Sequence, residues 1–410
     1  MDRYVADENT TIHYACKNNS KGKPMAQFAG GKIEAFAGPQ ELGAPDDLEQ
    51  VIVAFIGGAR RYLDIAVQEL DNPSIAQAIL DAVYRGVKVR MFLEQDYLKA
   101  EKPPKPSSSI DDAREAQLDA QWRERRSGAQ RSNRDILAAL LRCGVDVKAD
   151  LNPTIFHQKF IIRDFRNNRS HGQAALLTGS TNFTVTGTHK NLNHVIVFHD
   201  YRICRPYAEE FEELMDGTFG SNSQRHGDEP KTVNLNGVPV QILFAPDHAP
   251  ELEIVKQMLK CRRQLEFAIF TFSGSSGIDD AMVMLRRAGI EIRGVLDRGM
   301  GKHYWAASHW LHGMGIDIRF PDQELMPGVR KLHHKLMVID DDIVVAGSMN
   351  YTRPANLLND ENIFIVGSPY DLPSGKGGPV DHDECAAITG FFRSEIERIA
   401  ALSVSYGQNE

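Results

Sequence analysis

Two short runs in this chain carry the same reactive groups. His157-Gln158-Lys159 is followed by Asp164, and His333-His334-Lys335 is followed by Asp340 at the same spacing. Downstream of each comes a Gly-Ser-x-Asn: Gly179-Ser180-Thr181-Asn182 and Gly347-Ser348-Met349-Asn350. Residues i and i+2 of a strand face the same way, so the imidazole and ammonium of each copy point into one space. Two copies offer two imidazoles to one site. One imidazole can attack phosphorus while the other protonates the departing oxygen. The ammonium and amide groups can bind the nonbridging oxygens and offset charge that develops in the transition state. The chemistry that fits is phosphodiester cleavage. The candidate catalytic groups are His157, Lys159, Asn182, His333, Lys335 and Asn350. Asp164 and Asp340 lie an odd number of steps from their lysines, so they are expected to face away and make structural ion pairs. Ser180 and Ser348 are expected to support the histidines or the turn.

The elements that position these groups occur twice as well. Arg61, Leu63 and Ile65 recur as Arg263, Leu265 and Phe267, and Gly86–Arg90 recurs as Gly289–Arg293. Stretches of constant spacing, interrupted only by insertions, are what a duplicated domain leaves behind. Each half reads as helix (Pro45–Arg60; Ala249–Arg262), strand (Tyr62–Val67; Gln264–Phe270), helix (Ser74–Arg85; Ile278–Ala288) and strand (Val87–Leu93; Ile290–Leu296). A third helix (Asp135–Cys143; His303–Met314) and a short strand (Val145–Ala149; Ile316–Phe320) lead to the motif strands. Glycine after a helix and before a β-branched run is a helix stop. Strands alternating with helices predict an α/β/α sandwich around a largely parallel sheet. The division expected is a lead-in at 1–30, a first repeat at 31–216 with an insertion at about 97–134, a linker at 217–237, a second repeat at 238–402 and a tail at 403–410. A smaller insertion, Arg166–Gln173, reads as an enlarged hairpin loop, and Pro369–Gly378 as a loop before a final helix.

The paired motifs resemble the HxK(x)4D and GSxN signature of the phospholipase D superfamily, and both copies match at every signature position. The resemblance covers the two repeats, most of the chain. It implies an α/β fold of two duplicated phospholipase D-like repeats packed as a pseudo-dimer, with the active site at their interface. It implies a covalent phosphohistidine on one histidine, with the other as general acid, and no metal or cofactor. Glu361 follows the second Gly-Ser-x-Asn, whereas the matching position in the first half is Asn193. In the family a Glu here supports a catalytic histidine. If each supports the histidine of its own half, the carboxylate favours a charged His333 as proton donor and leaves His157 neutral as the nucleophile.

Composition bounds the rest. The chain has 410 residues and a formal net charge of −8, with 42% hydrophobic and 25% charged residues, ordinary values for a globular protein. Its five cysteines are scattered without metal-ligand spacing, which reads as reduced thiols in a cytoplasmic protein. The polar start of the chain has no signal-peptide pattern, and no window reaches the ~20 apolar residues of a membrane span, so stable membrane insertion is not expected. Nucleic acid is the favoured substrate and phospholipid the alternative. Arg123, Arg125, Arg126, Arg131 and Arg134 in the first insertion form either a phosphate-tracking stripe or a solvated helix face. That insertion is also where a regulatory protein partner or an oligomer contact is expected. Trp305 and Trp310 suit stacking on bases, contact with lipid or packing between the repeats. His309 and His312 have i, i+3 spacing, but no carboxylate or cysteine lies near enough in sequence to complete a metal site.

Overall fold

The computed structural model describes residues 26–97, 133–165, 171–220, 223, 230–373 and 377–407. The first half runs β1 (Ala26–Phe28), β2 (Ile33–Gly38), α1 (Leu48–Gly57), β3 (Tyr62–Val67), α2 (Pro73–Tyr84) and β4 (Lys88–Leu93). It continues through α3 (133–142), β5 (Asp146–Ala149), β6 (Lys159–Arg163), β7 (Ala175–Gly179), α4 (Val185–His189), β8 (Asn191–Phe198) and α5 (Tyr201–Asp216). The second half runs β9 (Thr232–Leu235), β10 (Val238–Ala245), α6 (Pro250–Met258), β11 (Gln264–Ile269), α7 (Gly277–Arg287) and β12 (Glu291–Leu296). Then come α8 (Arg298–Gly301), α9 (Ser308–Gly313), β13 (Asp317–Pro321), β14 (Lys331–Leu332), β15 (Lys335–Ile339) and β16 (Ile343–Gly347). It closes with α10 (Arg353–Leu357), β17 (Glu361–Val366), α11 (His382–Ala401) and β18 (Ser403–Ser405).

Each half builds one mixed sheet, in the orders β1-β2-β8-β7-β6-β3-β4-β5 and β18-β13-β12-β11-β15-β16-β17-β10-β9. The expectation of largely parallel sheets is corrected here. Only β3-β4-β5 and β11-β12-β13 run parallel within the halves, and the motif strands pair antiparallel. The cause is connection length. A helix links each parallel pair, whereas β6 to β7 and β15 to β16 are joined as hairpins, which force the antiparallel sense.

Local chemistry explains the element ends. Asn72 caps α2, its Oδ1 accepting the amides of Ser74 and Ile75 ahead of Pro73 in the first turn. Gly86 (φ +86°) and Gly289 (φ +91°) end α2 and α7 in the left-handed conformation that glycine adopts freely. The motif strands are buried on both faces, which is why they read as unbroken apolar runs rather than alternating ones.

Three cores hold the molecule together. One lies on the outer side of each sheet, under α1–α2 and under α6–α7. The third is shared: Phe160, Phe198 and Tyr207 of the first half pack in one cluster with Phe244, Phe364 and Phe392 of the second. Helices α5 and α11 both contribute to it, so the two repeats are one pseudo-dimeric body.

Four boundaries differ from expectation. Ala26–Phe28 of the lead-in and Thr232–Leu235 of the linker are strands, pairing with β2 and β10. Ser403–Ser405 of the tail pairs with β13. The helix expected over His303–Met314 is broken: 302–305 are turn and bend, Ala306 makes a bridge to Ser273, and the helix starts only at Ser308. Trp305 stacks on His303 at 4.9 Å, and Trp310 packs on the outer core of the second half, so neither fills the space between the repeats. His309 is held by the Tyr406 hydroxyl and by its Nε2–H donating to the carbonyl of His303 at 2.8 Å, which removes it as a metal ligand. The basic residues Arg123 to Arg131 lie outside the described residues. Cys143, Cys204, Cys261 and Cys385 are free thiols.

Candidate active site

The motif histidines come together from opposite halves. Their ring centroids are 6.3 Å apart and the planes cross at 71°. Both are buried, as are Lys159, Lys335 and Asn182. The glycine of each Gly-Ser-x-Asn lets two strands approach closely. A Cβ on Gly179 would sit 2.3 Å from the carbonyl oxygen of His194, and one on Gly347 would sit 2.2 Å from that of Asn362. No side chain fits either place.

The support of the two histidines crosses between the halves. Nδ1 of His157 lies 2.8 Å from Oε2 of Glu361, and Ser348 Oγ donates to the same oxygen at 2.6 Å. Nδ1 of His333 lies 3.0 Å from Oδ1 of Asn193, to which Ser180 Oγ donates at 2.8 Å, and 3.1 Å from the carbonyl of Ser180. The premise that each residue supports the histidine of its own half is therefore wrong. The backbone shows why. The amide of His157 donates to the carbonyl of Asp360, and that of His333 donates to the carbonyl of Leu192. Each motif strand thus begins against the strand that carries the other half's supporting residue. Segment β14, just before His333, even joins the first sheet beside β8. Glu94 anchors the other approach, its carboxylate accepting the amide of Phe156 at 2.6 Å.

Asp164 and Asp340 do face away from the site, but among the described residues they make backbone hydrogen bonds and no ion pair. Asp164 accepts the backbone amides of Arg60, Arg61 and Tyr62. Asp340 accepts those of Arg262, Arg263 and Gln264. Each carboxylate ties the end of a motif strand to the start of the neighbouring strand. Hydrogen bonds to a charged group are worth roughly 1.5–3 kcal/mol each.

Sequence reasoning missed Gln68 and Phe270, which occupy matching places just after β3 and β11. Gln68 Oε1 accepts from Lys159 Nζ at 3.2 Å and from Asn182 Nδ2 at 3.3 Å. The Phe270 ring lies 4.9 Å from the His333 ring, with Lys335 and Lys331 ammonium groups 5.1 and 5.2 Å from its centroid. The signal was available: a residue that ends the strand paired with a motif strand must border the motif. Asn350 Oδ1 accepts the amide of Thr271 at 3.2 Å, which leaves its NH₂ for a ligand. Lys159 and Lys335 also donate to the carbonyls of His157 and His333, curling each ammonium back toward its own histidine.

The site concentrates buried basic groups. Burial pushes the Lys159 amine down to about 7 and that of Lys335 well below the usual lysine range, the two repelling each other. Burial lowers His157 to about 4, against the opposing pull of Glu361. His333 is lowered strongly by burial, then by Lys335, Lys159, His157 and Lys331, and it has no carboxylate to oppose them. A bound anion would offset the repulsion among these groups. The second-order constant kcat/KM is expected to fall in two stages as pH rises. The first lies below 6.5, where the free site loses the proton that His333 must donate. The second and steeper stage runs through about 7, the alkaline limb at which the site loses the Lys159 ammonium. Lys159→Arg, which stays charged, should move that alkaline limb upward even as it slows the reaction. A pH–rate profile of both proteins in which the limb stays put would assign it to another group.

Away from the histidines, Glu210, Glu213 and Asp247 are the described carboxylates close enough together to hold a cation. They line a cavity of about 770 Å³ between α5 and β10, and the one motif residue that reaches them among the described residues is Gln158, whose Nε2 donates to Glu210. The described residues contain no helix long and apolar enough to cross a membrane.

Comparison with known proteins places this geometry. A family model described as "Cardiolipin synthase, PLD-like domain" matches residues 52–215 and 254–372. Among curated proteins, a mitochondrial cardiolipin hydrolase of Xenopus tropicalis is 29% identical over 156 residues, 38% of this chain and 55% of the relative. A phospholipase D of Rickettsia conorii is 28% identical over 132 residues, 32% of this chain and 63% of the relative. The chain thus spans only about half to two thirds of the length of these relatives. Among solved structures, the phosphatidylserine synthase of Haemophilus influenzae superposes with a TM-score of 0.58, at 11% identity, covering 91% of this chain and 87% of its own. That likeness concerns the fold.

Proposed function

The chain belongs to the phospholipase D superfamily, and from that premise we propose that it hydrolyses phosphodiesters through a covalent phosphohistidine, with His157 as nucleophile and His333 as general acid. The observation that carries this reading is the pair of facing imidazoles, each with Nδ1 engaged and Nε2 left for the phosphate. Neutral His157 donates its Nδ1–H to Glu361, which aims the Nε2 lone pair at phosphorus. Attack forms the N–P bond, breaks the bond to the leaving oxygen and puts positive charge on the ring. The Glu361 carboxylate stabilises that cation. His333 has only neutral acceptors at Nδ1, so its imidazolium is the stronger acid, and it gives its Nε2 proton to the leaving oxygen. In the second step His333, now neutral, takes a proton from water. The water oxygen bonds to phosphorus and the N–P electron pair returns to His157. The ammonium groups of Lys159 and Lys335 and the amides of Asn182 and Asn350 hold the nonbridging oxygens. The role assignment therefore matches the one drawn from sequence, but for a different reason: the carboxylate marks the nucleophile, across the interface.

For the substrate we place a phospholipid first and a nucleic acid second, which reverses the order drawn from composition. The relatives named above are called cardiolipin hydrolase and phospholipase D, and the matching family model carries the same lipid. Leu151 and Ile155, on the loop leading to His157, are exposed, as are Leu357 and Leu358 just before Asp360. Asn152 and Thr154 hydrogen-bond to the carbonyl of Leu358, so these apolar side chains share one rim beside the histidines, as contact with acyl chains requires. The nucleic-acid reading is drawn from a sequence without signal-peptide pattern or membrane span, with weaker support from the arginines of the first insertion. The test is a parallel assay with EDTA present, using cardiolipin and phosphatidylcholine vesicles, single- and double-stranded DNA, and RNA, on wild type and His157→Ala. Release of a lipid product, lost in the variant, is the expected result. Cleavage of a polynucleotide alone would replace the lipid reading with the nuclease one.

A further inference from the structure

Beneath His333 lies a second pair of histidines that the chemistry above does not use. His194 and His334 are fully buried. Their rings are coplanar within 4°, and their Nδ1 atoms are 3.1 Å apart. A hydrogen bond between two imidazole nitrogens needs one donor and one acceptor, and the surroundings choose which. Nε2 of His334 lies 3.4 Å from Oε1 of Glu395 without forming a hydrogen bond, and the charge of the carboxylate favours a proton on that nitrogen. The proton of His334 is therefore on Nε2, its Nδ1 is the acceptor, and His194 donates from Nδ1. Glu395 is itself held by Arg398 at 2.7 and 2.8 Å. The other charge acting on both rings is Lys335. Phe364 and Phe392 meet His194 edge-on.

This pair reaches His333 through Ser180. Ser180 Oγ lies 3.3 Å from Nδ1 of His194 and accepts the backbone amide of His194 at 3.1 Å. The Nδ1–H of His194 is committed to His334, so that nitrogen cannot accept from Ser180, and the hydroxyl proton goes to Oδ1 of Asn193. Asn193 then shows its oxygen to His333, while its NH₂ donates to the carbonyl of Gly187 at 2.8 Å. If the amide were reversed, NH₂ would face Nδ1 of His333 and force its proton onto the other nitrogen. The opposite half needs no such control. Glu361 is a carboxylate, which accepts from either oxygen and has no wrong way round. The positions matching His334 and His194 there are Gln158 and Asn362. They do not bond to one another: Gln158 turns to Glu210, and Asn362 to Thr178 and Tyr207. The histidine pair occurs only in the half whose supporting group is an amide.

We propose that His194 and His334 are positioning residues that fix the orientation of Ser180 and Asn193, and so keep the Nδ1 proton of His333 in place and its Nε2 directed at the leaving oxygen. This inference rests on the reading of His333 as general acid. The experiment compares two probes, diphenyl phosphate and bis(p-nitrophenyl) phosphate, with the full chain. Phenol leaves poorly without a proton, whereas p-nitrophenolate leaves without help. His334→Gln, which installs the residue of the other half, and His194→Asn are measured beside His333→Asn, with thermal melts to confirm folding. Loss of His333 also removes the base for water, so the comparison is made on the first release of leaving group. General-acid catalysis is worth ~10²–10⁴-fold, so a misaimed His333 should slow that burst about tenfold or more with diphenyl phosphate and under about threefold with the nitrophenyl ester. A split of this kind in His333→Asn, His334→Gln and His194→Asn alike supports the proposal. A split in His333→Asn with equal losses, or none, in the other two overturns the proposal alone. No split in His333→Asn overturns the general-acid reading and the proposal with it.

Discussion

Replacing His157 with alanine is expected to lower turnover by about 10⁴-fold or more on every phosphodiester, whatever its leaving group. The reason is that His157 supplies the bond to phosphorus itself. No neighbouring group can stand in for it: Lys159 and Lys335 point their ammonium groups at the carbonyls of the motif histidines, and His333 has its Nδ1 fixed by Asn193. The matching change at His333 should behave differently, sparing the first release of leaving group from activated esters while slowing hydrolysis of the adduct. Burst-phase rates on an activated and an unactivated diester separate the two. A His157→Ala enzyme that kept most of its rate on the activated ester would mean the nucleophile is elsewhere.

The second large effect is expected at Glu361. Glu361→Gln should lower turnover by roughly 10²–10⁴-fold with little change in fold, by analogy with the loss of an orienting carboxylate behind other catalytic histidines. Two physical contributions add. The amide no longer offsets the charge of the phosphorylated ring, and it can turn its NH₂ toward Nδ1 and reverse the tautomer. Ser348 Oγ, now donating to the carboxylate at 2.6 Å, would retain a partner, so stability should change little. Because Glu361 reaches His157 and not His333, the loss should be alike on good and poor leaving groups. A loss confined to poor leaving groups would show that the carboxylate serves the proton donor, and the crossed arrangement would then have no bearing on the nucleophile.

Much of this site was legible in the chain because the duplication repeats it. Each element of the first half has a counterpart that confirms it, and the strand Tyr62–Val67 was readable to the residue. The sheet sense was not. Alternating helices and strands announce parallel pairs, but each motif strand pairs with the strand that follows it as an antiparallel hairpin, β6–β7 and β15–β16, which overrides that pattern. The crossing of Glu361 and Asn193 was also hidden. Spacing within one half says nothing about which half a strand's entry segment will lean on, and the bond from His157 to the carbonyl of Asp360 is a long-range event. The role of Asp164 and Asp340 fell between these cases. Strand alternation said correctly that they point away from the lysines, but only the fold supplies the three backbone amides waiting for each. The break at 302–307 was missed for another reason: an apolar, aromatic pattern at helical spacing was overridden by the bridge between Ala306 and Ser273.

The covalent intermediate tests the central claim most directly. Wild-type protein and His333→Asn would be mixed with bis(p-nitrophenyl) phosphate, quenched within one turnover and digested, and the phosphorylated peptide sequenced by mass spectrometry. A nitrophenyl phosphate on His157, transient in the wild type and persistent in the variant that lacks the base for water, is the expected result. An adduct on His333 in the wild type, or turnover with no adduct on either histidine, would contradict it.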